Sequence, residues 1–498
     1  MFQETHLEME YFIHGDMCVA ESGQCYQSTV TFGESSNRGR CMKPCRWRYN
    51  LLCCESGTCE VILRDAMLLA KKDMCLFGHL KKVVNSGIVS LKIEGRARAP
   101  EFLSKLVSIY RRELDRVLGK RPDDREPTQE ADRREIKGMQ VRRFSTCAAF
   151  GKSGMAGVDP SGSREPMIFS IAKNEQDLPP LISAHIAPTR APILIASVGN
   201  TPQAMCAIEA NADVVCVRPA VFADVRKRKN RDQLDRIRIT TPRVLTDKES
   251  QHWLEEFVAL KASPQTGLEI MNLGLLQPLA ELGYWKFYGG FSLNLLNHLA
   301  AQLLAHLGFS AVTVSFESSL ENLRSLVAHS PIDVYVPAHG LIPGMLADYC
   351  LAHETMGCQG PQQCHLENVN WMLQDTSGGM HSLYREEGCR VAISTASDLC
   401  ILPWLADFIR AGVKGLRLGL EQYTAPQVMQ IISIYRKNVD ALCRGQTVTR
   451  EEFQKDLETR ASCSCRPLGI GAFQSGCFGI SEEGRQLEKI LVGAAAHS

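Results

Sequence analysis

The sequence lacks long apolar runs, a leader pattern and an excess of charge. No apolar run approaches the roughly 20 residues that a membrane-spanning helix needs. The first residues, MFQETHLEMEYF, have none of the charged-then-apolar plan of a signal peptide. A net charge of +1 gives no bulk attraction to nucleic acid or to an anionic membrane, although a local basic groove stays open. We therefore expect a cytoplasmic protein.

Signatures of known hydrolases are missing as well. The chain contains no H-E-x-x-H, no G-x-S-x-G and no cysteine with an evident histidine and asparagine partner. These absences argue against proteolysis.

Cysteine, in contrast, is abundant, with 20 in the chain. In a reducing cytosol a disulfide framework is not expected, so metal binding, redox chemistry or plain burial must account for them. Cys147, Cys206 and Cys216 stand alone in apolar surroundings, and we interpret them as buried thiols.

Two stretches of the chain repeat each other. DMCLFGHLKKVVNSGIVSLKIEGR (73–96) and DLCILPWLADFIRAGVKGLRLGLE (398–421) differ in position by 325, and the same offset relates His14 to His339 and Cys25 to Cys350. A register kept over about a hundred residues indicates an internal duplication, and a duplicated unit is expected to be one folding unit.

From residue 190 onward, short apolar runs alternate with amphipathic stretches. The runs are rich in β-branched residues, which is typical of buried parallel strands: APILIASVG, ADVVCVRP, TTPRVLT, GLEIMNL, KFYGGFSL, SAVTVSFES, IDVYVPAHG and VKGLRLGLE. Eight β-α repeats over about 250 residues predict an α/β fold, a closed (β/α)₈ TIM-type barrel. An open doubly wound sheet is the alternative.

The repeat divides the chain unevenly. We predict the C-terminal part of a first, truncated barrel with a Cys-rich loop over 1–118, a linker over 119–189, a second barrel with a Cys-rich insertion over 190–445 and a tail over 446–498. Two parallel strands cannot bury both faces by themselves. Either the true start lies upstream of Met1, which we favour, or another subunit completes the first barrel.

Clustered cysteines follow the same strand in both copies, on the C-terminal rim where barrel enzymes keep their active sites. In the first copy they are Cys18, Cys25, Cys41 and Cys45, with Cys75 before the next helix. In the second copy they are Cys350, Cys358, Cys364 and Cys400. The spacing of the first set is not that of zinc fingers and favours an iron–sulfur cluster. Structural zinc and inert thiols are the alternatives for each set.

Three segments of the first copy resemble the signature of the U32 peptidase (collagenase-like) family: EYFIHGDMCVAESGQCYQS, SSNRGRCMKPCRWRY and DMCLFGHLKKVVNSGIVSLKIEGR. GFSLNLLNHLAAQLLAHLGFSAVTVSFESSLENLRSL and HGLIPGMLADYC are similar to the middle of the family's barrel and to a variant cysteine loop. The resemblance implies a [4Fe-4S] cluster and oxygen-independent hydroxylation of a tRNA uridine, an rRNA cytidine or the ubiquinone ring, with prephenate as oxygen donor.

The resemblance also implies metal ligands. In the first copy they are Cys18, Cys25, Cys41 and Cys75, with Cys45 in reserve as a ligand of the variant pattern. In the second copy they are Cys350, Cys358, Cys364 and, as fourth, Cys400.

Glu94 and Arg96 end the last strand of the first copy, where Glu94 is a possible substrate-orienting or acid–base group. An ion pair of Glu94 with Arg96 or Lys92 is the plain alternative. In the second copy the two positions hold Gly419 and Glu421, so that arrangement is lost.

Basic residues crowd the first cysteine loop: Asn37, Arg38, Arg40, Arg46 and Arg48. Arginine forks suit a dicarboxylate or a phosphate, so we take Arg38 and Arg46 as candidates for a donor such as prephenate. A solvated basic loop is the alternative.

Other polar residues carry weaker signals. His14 and His339 follow apolar strands, where a hydrogen-bonded core histidine is the plainer interpretation. RKRKNR (226–231) could contact RNA phosphates or be a solvated helix face. Cys463, Cys465 and Cys477 in the tail could bind metal separately.

The sequence thus predicts an iron–sulfur enzyme that hydroxylates an RNA base of tRNA or rRNA with a prephenate-like donor. A peptidase, a non-catalytic iron–sulfur subunit and hydroxylation of a quinone precursor are the alternatives.

Overall fold

The computed structural model describes most of the chain. The described residues are 6–55, 58–95, 98–120, 127–140, 142–151, 154–161, 190–228, 231–358, 363–446, 456, 468–469 and 471–473. Among them, no helix combines the length and the apolar character needed to cross a membrane.

The first part of the chain contains seven strands in its described residues. They are β1 (Glu10–Gly15), β2 (Ala20–Cys25), β3 (Tyr49–Glu55), β4 (Thr58–Ala66), β5 (Asp73–Cys75), β6 (Ser90–Ile93) and β7 (Phe144–Ser145). Its α-helices are Gln27–Phe32, Leu80–Asn85, Pro100–Val117 and Gln129–Gly138.

Four of these strands form one small sheet in the order β6-β1-β5-β7. β1 runs parallel to β6 and antiparallel to β5, with His14 opposite Cys75. The helix Pro100–Val117 buries Leu106, Ile109 and Tyr110 against this sheet. The helix Gln129–Gly138, in the segment predicted as a linker, adds Ile136 to the same core.

The second part of the chain contains twelve described strands. They are β8 (Ile193–Ser197), β9 (Val214–Val217), β10 (Ile237–Thr240), β11 (Gly267–Ile270), β12 (Phe287–Gly289), β13 (Phe309–Thr313), β14 (Asp333–Ala347), β15 (Asn370–Asp375), β16 (Met380–Arg385), β17 (Val391–Cys400), β18 (Gly415–Gly419) and β19 (Leu468–Gly469).

Eight of these strands close into an all-parallel barrel. β8 to β13 pair in sequence, β14 pairs with both β13 and β18, and β18 pairs with β8. The closure excludes an open doubly wound sheet and confirms the predicted TIM-type barrel. One boundary is corrected: the third strand is Ile237–Thr240, whereas TTPRVLT lies beyond it, because Pro242 has no N–H for a ladder and Thr246 caps the next helix.

Helices alternate with the barrel strands as the apolar periodicity predicts. They are Thr201–Glu209, Pro219–Arg226, Arg231–Leu234, Asp247–Ala259, Leu276–Glu281, His298–His306, Leu320–His329, Leu405–Arg410 and Ala425–Cys443, with Leu351–Met356 and His365–Asn368 in the cysteine-bearing excursion. Several begin at side-chain caps, such as the capping box of Asn200 with Gln203 and that of Thr246 with Glu249.

The cysteine-bearing excursions of the two copies join in one sheet. β14 continues past the barrel and pairs with β17, and the order then runs β17-β16-β15-β3-β4. β3 and β15 are antiparallel, with Asn50 opposite Gln374 and a hydrogen bond of 3.1 Å between their amides. β2 also pairs with β14, with Cys25 opposite Met345. The first copy is thereby attached to the rim of the barrel.

Among the isolated cysteines, Cys147 and Cys216 are buried as predicted, whereas Cys206 is partly exposed. Cys54 and Cys59 face each other at the end of the β3–β4 hairpin and form a disulfide. The sequence had not predicted this bond, because only the hairpin register brings the two residues together.

Candidate functional site

The parallel strands β1 and β6 end at a small cleft in the first copy. The cleft is lined by His14, Gly15, Asp73, Glu94, Arg98, Phe102, Met139 and Phe144. Gly15 has φ +135°, and a Cβ at this position would lie 2.6 Å from the Glu94 backbone oxygen. Glycine therefore permits the close approach that brings His14 and Glu94 together.

Asp73 is the buried carboxylate of the cleft. Its Oδ2 accepts a hydrogen bond of 3.1 Å from Arg98, and its Oδ1 accepts hydrogen bonds of 2.9 and 2.7 Å from Arg142. His14 lies 3.1 Å from the Tyr110 hydroxyl. Burial, assisted by the charge of Arg98, lowers the pKa of His14 to about 4, so its imidazole is neutral at neutral pH.

A charge network connects the cleft to the first cysteine loop. Asp16 accepts hydrogen bonds from Lys43 (2.9 Å), Arg46 (2.6 Å) and Arg142 (2.5 Å). Burial by itself raises the pKa of Asp16, but Arg46, Arg142 and Lys43 outweigh it and lower the pKa to about 2. With Arg98 included, four basic side chains face the three carboxylates of Asp16, Asp73 and Glu94. The region therefore favours an anion.

The first cysteine loop brings four thiols into one neighbourhood. Burial raises the pKa of Cys25 to about 12, and the neighbouring Cys18 and Cys41 raise it further. Burial also raises the pKa of Cys45 to about 12; Arg46 opposes the shift, and Cys18, Cys41 and Cys25 add to it. Cys75 lies instead opposite His14 in the strand ladder, 3.7 Å from the Tyr110 hydroxyl.

The second copy repeats this division. Burial raises the pKa of Cys350, and the nearby Cys364 and Cys358 contribute to the shift. Cys400 lies apart from them on β17, opposite His339 and 3.9 Å from the Tyr435 hydroxyl. In both copies the loop thiols are grouped, and the strand cysteine packs with a histidine and a tyrosine.

The cleft is not repeated in the second copy. Gly419 stands in place of Glu94, and Tyr423 stands where the first copy has Arg98. The Tyr423 hydroxyl donates a hydrogen bond of 2.9 Å to Asp398, and its ring lies 5.9 Å from that of His339. The aromatic ring occupies the space between the histidine and the carboxylate.

The mouth of the complete barrel is covered by the first copy. Tyr26 is fully buried there against Phe291 and Phe316, and its hydroxyl donates a hydrogen bond of 2.8 Å to Asn294. The buried Glu317 accepts hydrogen bonds from Thr29 (2.6 Å) and Ser35 (2.8 Å). The loop that carries Cys25 therefore sits over the C-terminal ends of β12 and β13.

The predicted arginines have different surroundings. Arg46 is buried in the charge network, whereas Arg38 is exposed and closes a turn through its backbone N–H to Ser35. Arg40 pairs with Glu34 at 3.4 Å, and Arg48 with Asp65 at 3.1 Å.

Asn37 donates a side-chain hydrogen bond to the Cys25 carbonyl. In the basic run 226–231, Lys227 pairs with Asp224 on the same helix. Arg96, Cys463, Cys465 and Cys477 lie outside the described residues.

Sequence reasoning missed several members of the site. Asp73 was visible, since the offset of 325 matches it to Asp398, but no chemistry was assigned to it. Arg98 and Arg142 carried no signal, and Arg142 lies in the segment predicted as a linker.

Comparison with known proteins agrees with this architecture. The model of peptidase family U32 matches residues 1–158 and 222–468. The chain belongs to peptidase family U32. This confirms the resemblance found in the sequence.

Several relatives of this U32 protein carry names. It is 37% identical over 118 residues to tRNA hydroxylation protein P1 of Bacillus subtilis, covering 23% of this chain and 28% of that protein. It is 37% identical over 121 residues to the 23S rRNA 5-hydroxycytidine synthase of Escherichia coli, covering 24% and 18%. A collagenase of Porphyromonas gingivalis is 33% identical over 109 residues, covering 22% and 26%. These matches span less than a third of each relative.

Proposed function

We propose that this U32 protein is an enzyme that hydroxylates an RNA base without molecular oxygen, at the cleft of the first copy. The observation that carries the proposal is that cleft, in which a neutral His14, Glu94 and the Asp73–Arg98 pair face one another. The second copy fills the equivalent space with Tyr423. Relatives named for tRNA and rRNA hydroxylation supply the choice of substrate.

The first thiol set fits an iron–sulfur cluster in its chemistry. Cys18, Cys25, Cys41 and Cys45 perturb one another, and the buried Arg46 next to them can balance the negative charge of a thiolate-ligated cluster. Among the residues that the structure describes, no three potential ligands already surround one metal position. The resemblance points to Cys75 as the fourth ligand, and the shared neighbourhood points to Cys45.

When bound, a cluster supplies Lewis-acid or one-electron chemistry beside the cleft. The side chains of the chain have separate tasks. Glu94 orients the base or moves a proton at its carboxylate, and the neutral His14 accepts or donates a hydrogen bond. Arg98, with Arg46 behind it, binds an anionic donor such as a prephenate-like dicarboxylate.

The collagenase relative supports a peptidase as the second candidate. A cysteine nucleophile needs a lowered thiol pKa. Burial raises the pKa of both Cys25 and Cys45 to about 12 instead. The geometry therefore favours hydroxylation.

Two measurements test the proposal. Nucleosides from cells with and without the protein are compared by mass spectrometry, and we expect one nucleoside to lose one oxygen atom when the protein is absent or carries Glu94→Gln. Iron and sulfide are measured on protein purified without oxygen, with Cys45→Ala beside Cys75→Ala to identify the fourth ligand. An unchanged nucleoside profile together with cleavage of gelatin would favour the peptidase.

A further inference from the structure

The second cysteine loop contains a histidine among its thiols. Cys350, His353, Cys358 and Cys364 are separated by two, four and five residues. Cys350 N-caps the helix Leu351–Met356, and the backbone N–H of His353 donates to its sulfur at 3.4 Å. Positions three apart lie on one helix face, so the thiol and the imidazole point the same way.

The chain then turns back toward this histidine. Gly357 ends the helix with φ +67°, and Cys358 follows it. The Sγ of Cys358 lies 3.3 Å from Nδ1 of His353, and the Cys358 N–H donates to the same nitrogen at 3.2 Å. A nitrogen that accepts a hydrogen bond is unprotonated, which is the form that binds a metal.

Cys400, the fourth ligand that the resemblance implies, has a different environment. It is 2% exposed and belongs to the core of the barrel beside Tyr435. His353 lies at the exposed end of the loop, next to the other two thiols. The first copy has Ser28 at the position of His353, 3.9 Å from Cys41, so the imidazole is specific to the second copy.

We propose that the second cysteine loop binds one zinc ion through Cys350, His353, Cys358 and Cys364. Three thiolates and one imidazole form a complete tetrahedral zinc shell, and short spacings of two to five residues are typical of structural zinc sites. Among the described residues no three of these ligands yet surround one point, so binding draws Cys358 and His353 inward. The site has no open coordination position, and its role is to hold the loop. This inference does not depend on the proposed hydroxylation.

The test is zinc and iron content of the purified full-length chain, measured for four proteins. We expect about one zinc per chain in the wild type and in Cys400→Ser, and loss of zinc in Cys358→Ser and His353→Ala. His353→Cys, which offers four thiolates, should retain zinc. Circular dichroism identifies any variant that fails to fold.

Cobalt provides a readout that does not require activity. Added to zinc-depleted protein, Co²⁺ should give the visible absorption of a tetrahedral site with three sulfurs and one nitrogen, and His353→Cys should shift it toward four sulfurs. Zinc kept by His353→Ala but lost from Cys400→Ser would make Cys400 the fourth ligand and overturn the proposal. Loss of iron and sulfide from Cys358→Ser, in place of zinc, would overturn it as well.

Discussion

Tyr423 donates a hydrogen bond of 2.9 Å to the buried Asp398, at the position where Arg98 pairs with Asp73 at 3.1 Å in the first copy. The carboxylate is the same in both places, and its partner differs. A charged, slender side chain leaves the cleft of the first copy open, and an aromatic ring closes the second.

The surroundings of the two carboxylates correspond residue by residue. His14 faces Cys75 and lies 3.1 Å from Tyr110, and His339 faces Cys400 and lies 3.3 Å from Tyr435. β1–β6 and β14–β18 share the same parallel register at an offset of 325. Duplication of one unit remains our interpretation of this correspondence.

Closing the first cleft should abolish its chemistry. Arg98→Tyr introduces the side chain that the second copy has, so we expect a hydrogen bond to Asp73, an intact fold and a loss of hydroxylation of at least about 100-fold, because the base can no longer be positioned. Nucleoside mass spectrometry measures the loss, and iron content should stay unchanged. Arg98→Lys, which keeps the charge and the open space, is the matched control. Full activity in Arg98→Tyr would place the reaction elsewhere.

Arg142 should be important for stability although it lies in the segment predicted as a linker. It is 3% exposed and pairs with both Asp16 and Asp73, so Arg142→Ala leaves two buried carboxylates short of a partner and should cost about 3–5 kcal/mol of unfolding free energy. Arg111→Ala, which breaks an exposed pair with Asp115, should leave the unfolding free energy unchanged. Urea unfolding compares the two variants, and equal midpoints would contradict the expectation.

Tyr26 should hold the first copy on the barrel. Tyr26→Ala removes a fully buried ring between Phe291 and Phe316 and should cost about 3–5 kcal/mol. Tyr26→Phe loses only the hydrogen bond to Asn294 and should cost about 1 kcal/mol. Thermal unfolding followed by circular dichroism gives both values. The exposed Trp285→Ala controls for loss of an aromatic ring, and a cost as large as that of Tyr26→Ala would argue against the interface.

Asp375 should make stability depend on acid pH. Its burial alone raises the pKa, but hydrogen bonds from His381, Ser377 and the Gly379 N–H outweigh burial and lower the pKa to about 2. Because the pKa is about 3.9 in the unfolded chain, the stabilisation is complete above that value and is lost as the pH falls from about 4 toward 2.

The Asp375→Asn variant should lack this part of the pH dependence. Urea midpoints at pH 5 and pH 3 measure it, with the exposed Asp333→Asn as control. A wild-type decrease equal to that of Asp375→Asn would show that the carboxylate is not responsible.

The sequence by itself determined the barrel, the repeat and the positions of the clustered thiols. Apolar periodicity is a local property, so seven of the eight barrel strands were located correctly, and an offset of 325 is visible in any arrangement of the chain. The third strand was misplaced because TTPRVLT has the composition of a strand, while Pro242 and the cap at Thr246 belong to the loop and the next helix.

Only the tertiary structure decided which of these parts meet. Arg142 reaches Asp16 across 126 positions, and Thr29 reaches Glu317 across 288. Contacts at such separations depend on how buried charges find partners when the sheet and the barrel pack, and no local pattern encodes them. The grouping of Cys45 with Cys25, and of His353 with Cys358, follows for the same reason from the folded loop and not from spacing alone.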